Sequence, residues 1–297
     1  MIQNSSAKID SPLTLECAKL FNGELKFTTS GGLCKALLDG CFYLQIPEGI
    51  DLSPNITLSK EFYKDITDGS PETIAYRGFR EREGVYFDRE HFQTEHVLVD
   101  YPSRLKHFPP EVVATCDAMN NIAIHILKFV LHSLAIPKSA WCRVTGGAID
   151  NAGTHWFALS HYRSERDQMG CAPHKDTGFV TVLYAEQDGL EVLIDDCWVP
   201  IFTNPGCFII NFGVSLEILT STSCRPVHAI LHRVRRTIPS VNGDRFSFAA
   251  FTNPPASGML FQWTKSGEMI PFQSVEKFLI EFNAITWNDK YNNFGVK

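Results

Sequence analysis

Short β-strand patterns dominate the chain from about residue 154 onward. Runs rich in β-branched and aromatic residues follow one another there, each bounded by Gly, Asp or Pro, at 156–161, 179–184, 190–194, 198–200 and 208–212. Strands that are this short and this regularly spaced are typical of a β-sandwich or a β-barrel. The second half of the chain is therefore predicted to form such a core.

Helical patterns flank this β region on both sides. The longer one covers about residues 110–135, where Pro109 and Pro110 come first, apolar residues recur every three or four positions, and Pro137 follows the end. Pro is tolerated in the first turn of a helix and does not continue one. A second pattern covers residues 274–287. We expect the long helix to back the β core and the second to pack as a C-terminal helix.

The composition argues against some classes of partner. The 297 residues include 33 acidic and 27 basic side chains, and no run of Lys or Arg could neutralise a row of phosphates, so a nucleic-acid partner is disfavoured. No stretch approaches about 18 uninterrupted apolar residues, and the first thirty residues lack a signal-peptide pattern. We therefore expect a soluble, cytoplasmic protein with no membrane partner.

The nine cysteines are scattered along the chain and form no Cys-x-x-Cys pair. An odd number of cysteines without such spacing argues against a disulfide framework and against a structural zinc site. Cys171 lies three residues before His174. We expect it to be a small buried residue and not a metal ligand.

The segment from Cys171 to Gly178 contains a candidate for metal binding. His174 and Asp176 are two residues apart, so on an extended strand they point to the same side. One imidazole and one carboxylate on one face form two-thirds of the 2-His-1-carboxylate triad that binds non-haem Fe(II). His232, 56 residues after Asp176, is the candidate third ligand, but His228 has the same strand parity and remains open.

The order of the motifs, His-x-Asp, then His232-Arg233-Val234, then Arg245-x-Ser247, resembles the Fe(II)- and 2-oxoglutarate-dependent oxygenase superfamily, in its branch similar to isopenicillin N synthase. The resemblance covers most of the chain and favours His232 over His228. It implies an α+β fold with a double-stranded β-helix, or jelly-roll, core buttressed by N-terminal and C-terminal helices. It also implies one domain over 1–297, with an α-rich part at about 1–140, the core carrying the metal site at about 141–270, and a C-terminal helix and tail at about 271–297.

The same resemblance implies the cofactor and the co-substrates, which are Fe(II), 2-oxoglutarate and O₂. Arg245 and Ser247 lie thirteen and fifteen residues beyond His232 and would bind the distal carboxylate of 2-oxoglutarate, because a guanidinium matches a carboxylate. Tyr162, in Ser160-His161-Tyr162, resembles the tyrosine of an Asn-x-Tyr strand in relatives and is a further candidate contact. The implied enzyme is a monomeric dioxygenase of specialised metabolism, or natural product biosynthesis. It would hydroxylate, desaturate or cyclise a small molecule and release succinate and CO₂.

A polar segment at 75–84 predicts substrate contacts. In relatives the corresponding loop lies over the mouth of the active site, and loops on a rigid scaffold commonly carry binding residues. We therefore expect Arg77 to bind a carboxylate-bearing substrate, with Phe79 as an apolar wall. The alternative is that the arginines of this loop pair with Glu81 and Glu83 at the surface.

Three departures from the family pattern leave the proposed ligands themselves unchanged. Lys175 stands inside His-x-Asp where relatives usually have a small residue, Val214 stands directly after Gly213 where relatives usually have an acidic residue, and an Asn-His-Gly motif is missing near residue 47. Two other functions therefore stay open. One is an Fe(II) oxidase of the same fold that does not use 2-oxoglutarate, and the other is a catalytically silent jelly-roll binding protein. Succinate release coupled to substrate oxidation would distinguish them.

Overall fold

Two β-sheets enclose a cavity in the computed structural model, which describes residues 13–21, 23–239, 243–287 and 295–296. The strands are β1 (Cys17–Phe21), β2 (Glu24–Phe27), β3 (Cys41–Gln45), β4 (Tyr86–Asp88), β5 (Thr94–Asp100), β6 (Thr154–Tyr162), β7 (Cys171–His174), β8 (Val180–Ala185), β9 (Leu190–Ile194), β10 (Cys197–Pro200), β11 (Cys207–Phe212), β12 (His232–Val234), β13 (Arg245–Asn253), β14 (Met259–Trp263) and β15 (Met269–Ser274).

The larger sheet has nine strands among the described residues, in the order β2-β1-β3-β11-β8-β13-β6-β5-β4. The smaller sheet has the order β10-β9-β12-β7, and β14 and β15 form a separate hairpin. The predicted α+β fold with a jelly-roll core is confirmed by this arrangement.

The helices are α1 (Gly32–Asp39), α2 (Ser53–Glu61), α3 (Arg104–His107), α4 (Pro110–Ser133), α5 (Lys138–Val144), α6 (Val214–Thr220) and α7 (Val275–Thr286). Short 3₁₀ turns lie at Pro71–Tyr76, Phe79–Glu81 and Ala148–Asp150. As predicted, α4 is the long helix, and its apolar stripe packs on β8 and β13. Ser274 caps the start of α7 by accepting a hydrogen bond from the backbone N–H of Lys277. Within the described ranges, none of these helices is long and apolar enough to cross a bilayer.

The first 140 residues contribute more β structure than the sequence predicted. Strands β1 to β5 all join the larger sheet, with β3 pairing with β11 and β5 pairing with β6. In β5, every residue except Asp100 is buried. Such a strand is covered on both faces and lacks the alternation of polar and apolar residues that identifies a half-exposed strand.

Strand β13 has two faces with different environments. Arg245, Ser247, Ala249, Phe251 and Asn253 alternate along one side and line the cavity. Ala250, between them, belongs to the main apolar core with α4. The alternation is the ordinary pleat of a strand, which sends successive side chains to opposite faces.

Candidate metal centre

Two histidines and one carboxylate converge at the smaller sheet. His174 ends β7 and His232 begins β12, where the two residues are direct cross-strand partners. The Nε2 atoms of both histidines lie 3.8 Å from Oδ1 of Asp176. One possible ligand atom from each of the three residues lies within 4.8 Å of the others, so a single metal ion could contact all three.

The backbone fixes which nitrogen of each imidazole faces this point. His174 Nδ1 lies 2.8 Å from the carbonyl oxygen of Ala172, and His232 Nδ1 lies 3.1 Å from that of Ile230. A carbonyl oxygen only accepts, so Nδ1 carries the hydrogen in both rings and donates it. Each Nε2 is therefore left with its lone pair, which is the form that ligates a metal.

The third group of the cluster is held by its surroundings. Asp176 is only 6% exposed, and its Oδ2 accepts a hydrogen bond of 3.4 Å from Asn211 Nδ2. Its backbone oxygen accepts a hydrogen bond of 2.7 Å from Val214 N. Gly213 makes this approach possible, because a Cβ there would lie 2.2 Å from the backbone oxygen of Gly178. The carboxylate is thus aimed by α6 and β11 as well as by its own loop.

Other candidates for the cluster lie elsewhere. His228 is exposed at the surface, so the structure favours His232 as the third residue. Cys171 is buried and borders the cavity, but it is not part of the cluster. Lys175, which departs from the family pattern, binds both carboxylate oxygens of Glu217 on α6 at 2.9 and 3.0 Å. Its charge is therefore engaged away from the three converging residues.

A cavity of about 180 Å³ runs from this cluster into the jelly roll. Arg245 lies at its far end and is only 3% exposed. Arg245 Nε donates to the backbone oxygen of Asp188 at 3.2 Å, and its Cζ lies 4.6 Å from the ring centroid of Tyr162. Arg245 Nη1 is buried and has no hydrogen-bond partner among the residues that the structure describes.

Two hydroxyl groups accompany this guanidinium. Tyr162 is the cross-strand partner of Arg245, and its hydroxyl lies 3.4 Å from Ser247 Oγ. A buried donor without a partner costs about 1–3 kcal/mol. A carboxylate of a bound ligand would satisfy the free nitrogen and could accept from both hydroxyls.

The residues present fit Fe(II) and 2-oxoglutarate. Two neutral imidazoles and a carboxylate are a donor set that suits Fe(II) and leaves positions open. The buried guanidinium at the other end of the same cavity matches the distal carboxylate of a dicarboxylic keto acid.

Comparisons with known proteins agree with this site. A family model described as the 2OG-Fe(II) oxygenase superfamily matches residues 153–254, a range that contains the metal cluster, Tyr162, Arg245 and Ser247. A 1-aminocyclopropane-1-carboxylate oxidase of Dendrobium crumenatum is 24% identical over 274 residues, covering 81% of this chain and 80% of that protein. Residues 153–254 therefore form a region similar to the 2OG-Fe(II) oxygenase superfamily. The protein is an oxidoreductase of the dioxygenase type, with Fe(II) as cofactor and 2-oxoglutarate and O₂ as co-substrates.

Two further proteins are similar to this oxygenase. Oxoglutarate-dependent flavonoid 7-O-demethylase 1 of Ocimum basilicum is 42% identical over 143 residues, covering 46% of this chain but 35% of that protein. The crystal structure of JOX2 in complex with 2OG, Fe and JA superimposes with a TM-score of 0.61 at 16% identity, covering 84% of this chain and 80% of that chain. This last similarity shows that the fold is shared.

The oxygenase does not bring Arg77 and Phe79 to the cavity, which corrects the predicted substrate contacts. Arg77 is 3% exposed, and its Nε donates to Glu61 Oε2 at 2.7 Å. Its Nη2 also bonds the hydroxyl of Thr73. Phe79 is fully buried in the main apolar core. Arg77 therefore ties the 3₁₀ turns to α2, and neither residue lines the cavity.

The C-terminal helix of the oxygenase forms a wall of the cavity, which the sequence did not predict. Trp287, directly after α7, places its ring centroid 5.6 Å from that of His174. Arg89 lies on the same indole, with its Cζ 4.2 Å from the ring centroid. Helical spacing indicates that one face of α7 is buried, but it does not indicate which surface that face covers. The cavity-lining residues of the helix are Val275, Phe278, Leu279, Phe282 and Asn283.

His96 is a further cavity residue without a signal in the sequence. It lies on β5 opposite Ser160 and lines the cavity. Burial, followed by the positive charge of Arg89 and the nearby His174, holds the pKa of His96 well below its usual value. His96 is therefore a neutral hydrogen-bonding side chain at physiological pH. Its strand was not predicted, so its orientation could not be predicted either.

Proposed function

We propose that this oxygenase oxidises a C–H bond of a small molecule, with His174, Asp176 and His232 as the iron ligands. The observation that supports this most directly is the pairing of two features in one cavity. At one end, two bare imidazole nitrogens and a carboxylate converge within 4.8 Å. At the other end, Arg245 presents a buried nitrogen with no partner in the described part of the chain.

The protein's own contribution is to bind, orient and exclude water. Arg245, Ser247 and Tyr162 would hold the distal carboxylate of 2-oxoglutarate, and His174, Asp176 and His232 would hold Fe(II). When bound, Fe(II) and 2-oxoglutarate together supply the activation of O₂, with release of succinate and CO₂. The remaining cavity wall is mainly apolar, so it keeps bulk water from the reacting carbon. The position of the substrate C–H bond then decides between hydroxylation, desaturation and cyclisation.

We place this activity in specialised metabolism and in the cytoplasm, with a monomer as the active form. The name of the flavonoid demethylase supports the first point, because it describes oxidation of a plant natural product. We also propose that residues 1–297 act as one catalytic domain. The pairing of β3 with β11 and of β5 with β6 supports this, since strands from the first half complete the sheet of the core.

One alternative keeps support from the comparisons. The relative from Dendrobium crumenatum is named an oxidase, and a guanidinium with a hydroxyl can hold a substrate carboxylate as well as a co-substrate. An oxidase of this kind would consume O₂ without stoichiometric succinate. A silent binding protein is disfavoured because the three-residue cluster is intact.

The test is replacement of Asp176 by Ala. Removing the carboxylate leaves two imidazoles and should abolish both retention of Fe(II) and succinate formation with a metabolite panel. Iron content after desalting and circular dichroism are measured alongside activity. Asp68→Ala, at an exposed position, is the matched control. Wild-type iron content and succinate release in Asp176→Ala would show that the ligand assignment is wrong.

A further inference from the structure

The cavity walls change character along their length. Five cavity-lining residues of β13 are paired across the sheet with residues of β6, and the pairs run from polar, through small, to aromatic, with one further polar pair at the end of the strand. Those pairs are Arg245 with Tyr162, Ser247 with Ser160, Ala249 with Ala158, Phe251 with Trp156, and Asn253 with Thr154. The polar end matches the co-substrate. The two alanines leave open space in the middle, and beyond them Phe251 and Trp156 form an aromatic floor.

Helix α7 lies over the aromatic half of this cavity. At its start, Val275 N donates to the backbone oxygen of Gly258 at 3.1 Å, and Gly258 N donates to that of Pro255, two residues beyond β13. Just after its end, the ring of Trp287 is next to His174. The helix therefore spans from the Asn253 end of the cavity to the metal ligands. Its cavity side adds two further aromatic rings, Phe278 and Phe282, whose centroids are 6.3 Å apart.

This half of the cavity offers no free positive charge among the described residues. Lys175 and Arg245 are the lysine and arginine side chains that line the cavity as a whole. Lys175 is bound to Glu217, and Arg245 lies at the opposite end beside the co-substrate. A substrate carboxylate placed between Phe251 and Phe282 would lose its hydration without gaining a cationic partner, which is strongly unfavourable.

We infer that the substrate is an uncharged molecule with a flat aromatic ring, bound between the floor formed by Phe251 and Trp156 and the α7 residues Phe278 and Phe282. The inference rests on the proposed function, because it assigns Arg245 to 2-oxoglutarate. Aromatic side chains favour another ring at offset or edge contact over an aliphatic group of equal area. This inference replaces the earlier expectation of a carboxylate-bearing substrate, because Arg77 and Phe79, which were predicted to bind that substrate, do not line the cavity.

The test compares three probes that differ in one property each. Naphthalene-2-carboxamide is neutral and aromatic, naphthalene-2-carboxylate adds a charge, and decahydronaphthalene-2-carboxamide removes the aromaticity. Their dissociation constants are measured by equilibrium dialysis against the protein loaded with Fe(II) and 2-oxoglutarate, without O₂. The aromatic amide should bind about tenfold or more tightly than the carboxylate and roughly two- to tenfold more tightly than the saturated amide. Equal or tighter binding of either comparison probe, or no binding of the aromatic amide, overturns the inference.

Variants localise the probe. Phe251→Leu on β13 and Phe282→Ala on α7 should each weaken binding of the aromatic amide, by about tenfold for the alanine variant. Ile285→Ala, on the same helix at a position that is 85% exposed, should change nothing. Phe251→Leu leaves α7 intact, so it keeps the test valid if Phe282→Ala loosens the helix. Unchanged binding in both variants overturns the inference. Failure of the proposed function would instead appear as absent succinate release while the amide still binds.

Discussion

Replacing Arg245 by Ala should remove most of the affinity for 2-oxoglutarate. The side chain is 3% exposed, and its Nη1 is buried without a partner in the described part of the protein. Hydrogen bonds to charged groups contribute about 1.5–3 kcal/mol each, and removing one partner of a buried charge pair costs about 2–5 kcal/mol. The dissociation constant should therefore rise by roughly 30-fold to 5000-fold. Arg245→Lys keeps the positive charge but not the planar guanidinium. Its dissociation constant for 2-oxoglutarate should therefore lie between those of wild type and Arg245→Ala.

The assay is calorimetric titration of 2-oxoglutarate into Fe(II)-loaded protein without O₂, which separates binding from turnover. Arg236→Ala is the control, because that arginine is half exposed and pairs with Asp167 at the surface. Iron content should stay at the wild-type level in all three variants, since Arg245 does not contact the metal ligands. If Arg245→Ala binds 2-oxoglutarate within about threefold of wild type, the assignment of this end of the cavity is refuted.

Three further predictions concern Ser247, Lys175 and Glu95. Ser247→Ala should weaken 2-oxoglutarate binding by only about 0.5–1.5 kcal/mol in the same titration, and a loss as large as that of Arg245→Ala would contradict the ranking. Lys175→Ala should cost less than about 1 kcal/mol in urea unfolding and leave iron content unchanged, because the bond to Glu217 is partly exposed; loss of iron would show that Lys175 supports the metal site. Burial alone would raise the pKa of Glu95, but hydrogen bonds from His161, Arg80 and Tyr86 outweigh it and lower the pKa from 4.5 to about 2. Because the folded-state pKa lies below the unfolded value, Glu95 stabilises the protein above about pH 4.5 by about 3 kcal/mol and loses that contribution as the pH falls toward 2. Urea unfolding of wild type and Glu95→Gln between pH 7 and pH 3 checks this, and a difference that does not shrink at low pH would refute it.

The metal cluster could be predicted because its information is local. His174 and Asp176 are two residues apart in the sequence. His232, which the structure pairs with His174 across the sheet, was identified through the family resemblance. Arg245 and Ser247 share a strand face for the same reason of two-residue spacing. Parity alone did not separate His232 from His228, and the structure does so by exposing His228.

The substrate side of the cavity could not be predicted, because its partners are distant in the sequence. Arg77 was expected at the cavity mouth. In the structure it pairs with Glu61, a residue of α2 that lies 16 positions earlier in the sequence. The spacing of Phe278 and Phe282 indicates that one face of α7 is buried. It does not indicate whether that face packs on the core or lines a cavity, because both kinds of helix have the same periodicity of apolar residues. Strand β5, which carries His96, is buried on both faces and so gave no alternating pattern of polar and apolar residues.

Strand β13 makes catalysis and folding depend on a single register. Its cavity side carries Arg245, the proposed co-substrate anchor, and the aromatic floor, while Ala250 on the other side is fully buried in the main core. Insertion or deletion of one residue would exchange the two sides, burying a guanidinium under α4 and turning core residues into the cavity. We therefore expect this strand to tolerate substitutions but not insertions or deletions. New substrate preferences can arise by exchanging Phe251 or Ala249, whereas changes in length must occur in the loops outside the strand.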